Sequence, residues 1–126
     1  MKILIPICLF LPFLLFPLSA FSDELSKVDA ANLLNRECGT IRKSASFTIS
    51  PACSFEVLQV DNFGRGEATV AQIVVYSRGF TYDITFTVVF QLLWNDSGAY
   101  YPTIIEVREG RFMGISPLAE KILKDL

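Results

Sequence analysis

From Phe80 to Trp94 every even-numbered residue is large and apolar: Phe80, Tyr82, Ile84, Phe86, Val88, Phe90, Leu92 and Trp94. The odd positions between them begin Thr81, Asp83, Thr85 and Thr87. Successive side chains of a strand point to opposite faces, so this period of two predicts one long strand with a face on the core. Val89 and Leu93 make the far end apolar on the other side as well, which predicts cover on both faces there. A strand of this kind needs paired neighbours and a covering layer before it is stable.

The neighbours are legible on both sides. Glu67 to Ser77 is rich in valine and reads as a strand. The tight turn Ser77-Arg78-Gly79 joins it to the long run. Before it, Asn62-Phe63-Gly64-Arg65-Gly66 is a turn cluster. Phe55 to Asp61 is a further strand whose alternation slips between Phe55/Val57 and Leu58/Val60, predicting a bulge or two buried faces. Phe47-Thr48-Ile49, stopped by Pro51, reads as a short strand. After Trp94, Asn95-Asp96-Ser97-Gly98 turns the chain into a last strand. Tyr101, Thr103, Ile105 and Val107 share one of its faces, and Glu106 and Arg108 the other.

Two helices supply the cover. Ser26-Lys27-Val28-Asp29 resembles a capping box, and Val28, Ala31, Leu34 and Cys38 follow at helical spacing. Gly39 is a natural stop, so the helix is expected from about 26 to 38. Ser116-Pro117 opens the other helix, with Leu118, Ile122 and Leu126 as its buried stripe and Lys121 and Lys124 near its negative end. The fold class that follows is α+β: an N-terminal helix, a four-stranded antiparallel meander and a C-terminal helix, in a single domain over residues 23–126.

The segment before that domain reads as an address. Lys2 is followed by an uncharged stretch from Ile3 to Leu18 and by Ala20-Phe21-Ser22, the pattern of a secretory signal peptide over residues 1–22, cut after Ser22. Pro6, Pro12 and Pro17 interrupt the apolar stretch, which speaks against a retained membrane anchor and for no stable membrane insertion after cleavage. The expected location is secreted or periplasmic. Cleavage removes Cys8 and leaves Cys38 and Cys53, which an oxidising compartment would pair. Closing that loop is worth roughly 3 kcal/mol in the chain-entropy model. The spacing is not the Cys-x-x-Cys of catalytic dithiols.

Composition removes whole classes of chemistry. The 126-residue chain has no histidine, so Ser-His-Asp and Cys-His mechanisms and most zinc and copper sites lack their imidazole. Three cysteines are too few for an all-thiolate metal site. No cofactor, no metal and no catalytic residue is expected. Lys+Arg number 11 against 13 Asp+Glu, and Arg42-Lys43 and Arg108-Glu109-Gly110-Arg111 are too short to make a nucleic-acid patch. Asp83, Glu106 and Glu109 lie opposite the apolar faces and read as solvent-facing rather than as an acid–base pair. Asn95-Asp96-Ser97 meets the N-glycosylation pattern at an expected turn.

The helix-plus-meander order resembles cystatin-like and related cone-shaped α+β folds. Gln72-Ile73-Val74-Val75 is similar to the start of the Gln-x-Val-x-Gly loop with which cystatins enter a cysteine-protease cleft. Tyr76 stands where that family has glycine, the expected hairpin tip is Arg78-Gly79, and no Pro-Trp second hairpin is present. The resemblance therefore implies a fold, and fold alone does not fix function.

The functional expectation is an exported, small, non-enzymatic binding protein acting on another protein, as inhibitor, immunity factor or envelope accessory factor. Its contact residues are expected at the turns: Arg65, Arg78, Phe80, Asp96 and Tyr100. Tyr100 and Tyr101 are further marked by the preference of tyrosine for interfaces. The alternative is a carrier of small apolar ligands, or a pocket enzyme of the cone-shaped class, with Tyr82, Phe86 and Trp94 lining the concave face of the sheet. An unpaired sheet edge would also allow a homodimer.

Overall fold

A computed structural model describes residues 24–65, 68–79, 81–111 and 114–125, Arg65 by its backbone only. The expected signal peptide lies outside the described residues, as do Phe80 and Leu126. Helices α1 (Lys27–Arg36) and α2 (Cys38–Ser44) precede strands β1 (Phe55–Arg65), β2 (Ala68–Ser77), β3 (Ile84–Trp94) and β4 (Tyr100–Glu109), and helix α3 (Pro117–Asp125) follows them. The strands form one antiparallel sheet in the order β1-β2-β3-β4. This is the α+β meander with flanking helices that the patterning predicts.

β3 organises the core. Ile84, Phe86, Val88, Phe90 and Leu92 are buried on one face against Leu33, Leu34 and Ile41 of the first two helices. Phe47 and Phe55 pack on Phe86 with ring centroids 5.3 and 5.9 Å away. The strand begins at Ile84 rather than Phe80, because Ser77 pairs with Ile84 and the intervening residues form a loop in place of the expected tight turn. The Tyr76 hydroxyl donates to the Asp83 carboxylate at 2.5 Å across the base of this loop. Phe47-Thr48-Ile49 is not a strand: Phe47 is drawn onto Phe86 and Ile49 into the same core.

On the opposite face Val70, Val89 and Ala119 form a second buried cluster, flanked by Phe63, Ile105, Ile115, Ile122 and Leu123. Both faces of the middle of β3 are therefore covered. The cover stops short of Leu93, which is 48% exposed where burial was expected.

Irregularities sit where the alternation slips. β1 has its bulge between Val57 and Gln59, as the shift in its apolar residues predicts. It also runs through the expected turn residues to Arg65. Asn62 is held there by Leu25, whose N–H donates to Asn62 Oδ1 at 2.9 Å and whose carbonyl accepts from Nδ2 at 3.1 Å. β4 shifts register where Val89 pairs with Glu106 and Phe90 with Ile104. Ile105 is the extra residue, so Ile105 joins the α3 cluster while Val107 turns to the α1 side. The shared face expected for those two residues is lost to that bulge.

The helices follow their caps more closely than their stripes. Ser26 Oγ accepts from the Asp29 N–H at 3.1 Å, and Ser116 Oγ from the Ala119 N–H at 3.2 Å. The buried residues of α1 are Ala30, Leu33 and Leu34, whereas Val28 is 70% exposed. Gly39 does not end the helical segment. The chain kinks at Glu37 and continues through Gly39 to Ser44, burying Cys38 and Ile41. A helical glycine costs about 1 kcal/mol relative to alanine, a small term against burial of Ile41. In α3 the buried residue is Ala119, with Ile122 and Leu123 half-buried, while Leu118 is exposed. Cys38 and Cys53 form a disulfide with Cα atoms 6.0 Å apart, tying α2 to the segment that leads into β1.

Candidate functional site

An antiparallel meander places its first and third connections at one end of the sheet and its second at the other. The expected contact residues are accordingly divided. Arg65, Asp96 and Tyr100 belong to the end that carries the β1–β2 and β3–β4 connections, and Arg78 to the β2–β3 loop. β3 has 11 residues, and at about 3.4 Å per residue it separates the two ends by roughly 35 Å.

At the first end the β3–β4 turn is tied internally. Asn95 Oδ1 accepts from the Ser97 N–H at 3.0 Å, the Ser97 hydroxyl at 2.8 Å and the Ala99 N–H at 3.0 Å. The Asn95 N–H donates to the Ala99 carbonyl at 2.8 Å, and Gly98 adopts a φ of 84° that suits glycine. Asp96 is thereby presented to solvent on a turn with little freedom.

Below that turn the two faces differ. On the α1 side, Trp94 and Tyr100 pack with ring centroids 4.8 Å apart, and the Arg36 guanidinium lies 5.9 Å from the Tyr100 centroid. Trp94 Nε1–H donates to Thr69 Oγ1 at 2.8 Å. Partial burial pushes the Tyr100 hydroxyl above its ordinary pKa, opposed by the charge of Arg36 and reinforced by that of Asp29. Both aromatic rings are half-buried parts of the scaffold. On the α3 side, Leu93 pairs with Tyr101 on β4 and with Ala68 on β2. Tyr101 is 69% exposed, so the row Ala68–Leu93–Tyr101 presents an apolar step beside the Asp96 turn. The apolar neighbours of Leu93 suggest cover, but the cluster beneath α3 does not extend to it.

At the second end the Arg78 side chain is exposed and lies near Tyr76. The Tyr76 hydroxyl is raised above its ordinary pKa, chiefly by its hydrogen bond to Asp83 and with Arg78 opposing. Tyr82 is exposed in the same loop. A side chain on Gly79 would collide with the Tyr82 carbonyl oxygen, which is why the loop closes only with glycine there.

The three residues of the alternative ligand pocket are not brought together. Tyr82 is on the loop, Phe86 is wholly buried between Phe47 and Phe55, and Trp94 is at the far end of β3. Aromatic rings occupy the space over Phe86.

Several other polar side chains are paired, while Ser77 Oγ and Glu106 Oε1 are buried without a hydrogen-bond partner among the described residues. Arg111 Nη2 donates to Gln59 Oε1 at 2.5 Å, and Gln59 Nε2 to Asp61 Oδ2 at 2.7 Å. Arg108 faces Glu106 at 3.9 Å, and a shallow depression is lined by Arg108, Glu109, Gly110 and Arg111. Among the described residues no three carboxylate or thiol side chains are grouped as metal ligands would be.

Gln72, the first residue of the cystatin-like segment, is 1% exposed in the middle of β2. Its Nε2 donates to the Gly114 carbonyl at 2.6 Å and its Oε1 accepts from the Ser116 N–H at 3.0 Å. It anchors the segment leading into α3 and is not on a surface that enters a protease cleft.

No helix among the described residues is long and apolar enough to cross a membrane. No protein-family model, curated protein or solved structure matches this chain.

Proposed function

We propose that this chain is an exported, non-enzymatic binding protein, secreted or periplasmic, that acts on another protein as inhibitor, immunity factor or envelope accessory factor. The contact surface is the sheet end that carries the β1–β2 and β3–β4 connections. Leu93 and Tyr101 form its apolar centre and Asp96 its charged rim, and the backbone of Arg65 ends β1 at the same end of the sheet. The observation that carries this reading is the exposure of Leu93 and Tyr101 as cross-strand partners beside a turn held by Asn95. Tyrosine and large apolar residues on a rigid scaffold supply contact area with little ordering cost. The signal-like pattern of residues 1–22 and the Cys38–Cys53 bridge support export.

The test is affinity capture from the native host with the full chain, comparing the unaltered protein, a Leu93→Ser/Tyr101→Ser double variant and Arg78→Ala. A polypeptide partner should be retained by the unaltered protein and by Arg78→Ala. The double variant should bind it at least thirtyfold more weakly, the loss of about 2 kcal/mol that marks a central contact. Retention unchanged in the double variant would reject this surface.

A further inference from the structure

We propose that Cys53 is the sulfur through which the Cys38–Cys53 bridge exchanges with an external thiolate, and that Cys38 is always the leaving group. The two sulfurs sit in unequal surroundings. Cys38 is buried, 4% exposed, on the inward side of α2. Cys53 is partly exposed in the loop that precedes β1.

Two further observations mark Cys53. Arg42 Nη1 lies 3.8 Å from its Sγ and 3.4 Å from the Pro51 carbonyl, so a cation flanks the accessible sulfur. A positive charge there draws an anionic nucleophile towards Cys53 Sγ. Cys53 also holds a φ of 55°, a left-handed backbone that a side-chain-bearing residue adopts rarely. Opening the bridge frees that residue to leave this conformation, which favours opening whichever sulfur is attacked, and access then decides which one is.

The step balances as an exchange. The incoming thiolate attacks Cys53 Sγ, a new disulfide forms to that sulfur, and the bond to Cys38 Sγ breaks. Cys38 departs as a thiolate and takes a proton from solvent. One disulfide replaces another and no separate oxidant is consumed. The pair is thus a substrate of thiol–disulfide exchange rather than a catalyst of it, in keeping with its wide spacing.

The probe is reduced glutathione, added to the oxidised full chain, quenched with acid and blocked with N-ethylmaleimide before peptide mass spectrometry. Glutathione is expected on Cys53 at least tenfold over Cys38, with the maleimide on Cys38. Glutathione on Cys38, or an even division, would overturn the proposal. Arg42→Met should slow the first exchange about three- to fivefold, and Arg42→Lys should restore most of the rate. Equal rates in all three proteins would remove Arg42 from the account. Should Arg42→Met fail to fold, the partition of glutathione in the unaltered chain decides the matter alone.

Discussion

The Ser116 N–H donates to Gln72 Oε1 at 3.0 Å across 44 positions of sequence, and both residues are buried. Together with the bond from Gln72 Nε2 to the Gly114 carbonyl, this fixes the start of α3 to the middle of β2. The second face of the sheet is thus closed by a helix that the Gln72 side chain ties down at its start and apolar contacts hold along its length. Leu93 and Tyr101 lie outside the cluster that α3 forms with the sheet and are exposed.

Replacing Gln72 with leucine keeps the volume and removes both bonds. The buried Ser116 N–H then has no partner, and a buried unsatisfied donor costs about 1–3 kcal/mol. Gln72→Leu is expected to lower unfolding free energy by about 2 kcal/mol in urea titration. It should also speed proteolytic cleavage between residues 110 and 116. Unchanged stability and unchanged cleavage would show that α3 is held by its apolar contacts alone.

Gly64, the penultimate residue of β1, lies beneath α3 with a φ of 98°. A Cβ there would lie 3.0 Å from both the Ala68 carbonyl oxygen and Leu123 Cδ2. Both the backbone and the helix must give way, so Gly64→Ala should cost about 1–3 kcal/mol. A midpoint of denaturation equal to that of the unaltered protein would contradict the close approach of α3 to β1.

Phe86 lies at the centre of the larger cluster, wholly buried against Phe47 and Phe55. Phe86→Ala should destabilise by about 3–5 kcal/mol through lost burial and a residual cavity. If the sheet instead enclosed a ligand pocket there, truncation would cost far less and the unaltered protein would bind apolar dyes. Calorimetric unfolding with and without such a dye separates the two.

Tyr100 gives the fold an alkaline limit. Its hydroxyl titrates higher in the folded chain than in the unfolded one, chiefly because it is partly buried. As pH rises past about 10, the unfolded chain loses this proton first. The contribution is therefore intact below that pH and declines as pH climbs through the folded value. Tyr100→Phe should flatten the fall of melting temperature between neutral and strongly alkaline pH. An identical slope in both proteins would mean that the ring is not desolvated.

Local signals hold where one neighbour decides the outcome. The alternation of Phe86, Val88, Phe90 and Leu92, the slip around Leu58 and the caps at Ser26 and Ser116 all appear in the structure. They fail where a distant contact overrides local chemistry. Asn62 and Gly64 look like turn residues, yet Leu25 holds the first in β1 and α3 leans on the second. Gly39 looks like a helix stop, yet burial of Ile41 carries the helix past it. Gln72 resembles the start of a protease-entering loop, yet the segment 44 positions away lies over it and buries it. The candidate contact surface follows the same rule. The Asp96 turn is visible locally, but the exposure of Leu93 depends on which residues of the sheet the α3 cluster takes in.

The central claim is that the Leu93–Tyr101 row is a protein-binding surface. The most direct measurement places a photoactivatable cross-linking side chain at position 101 of the full chain, expressed in its native host, with position 28 as an equally exposed control. The account predicts a discrete adduct with one other polypeptide from position 101, absent from position 28 and lost when Leu93 is also changed to serine. Equal adducts from both positions, or an adduct indifferent to Leu93→Ser, would contradict it.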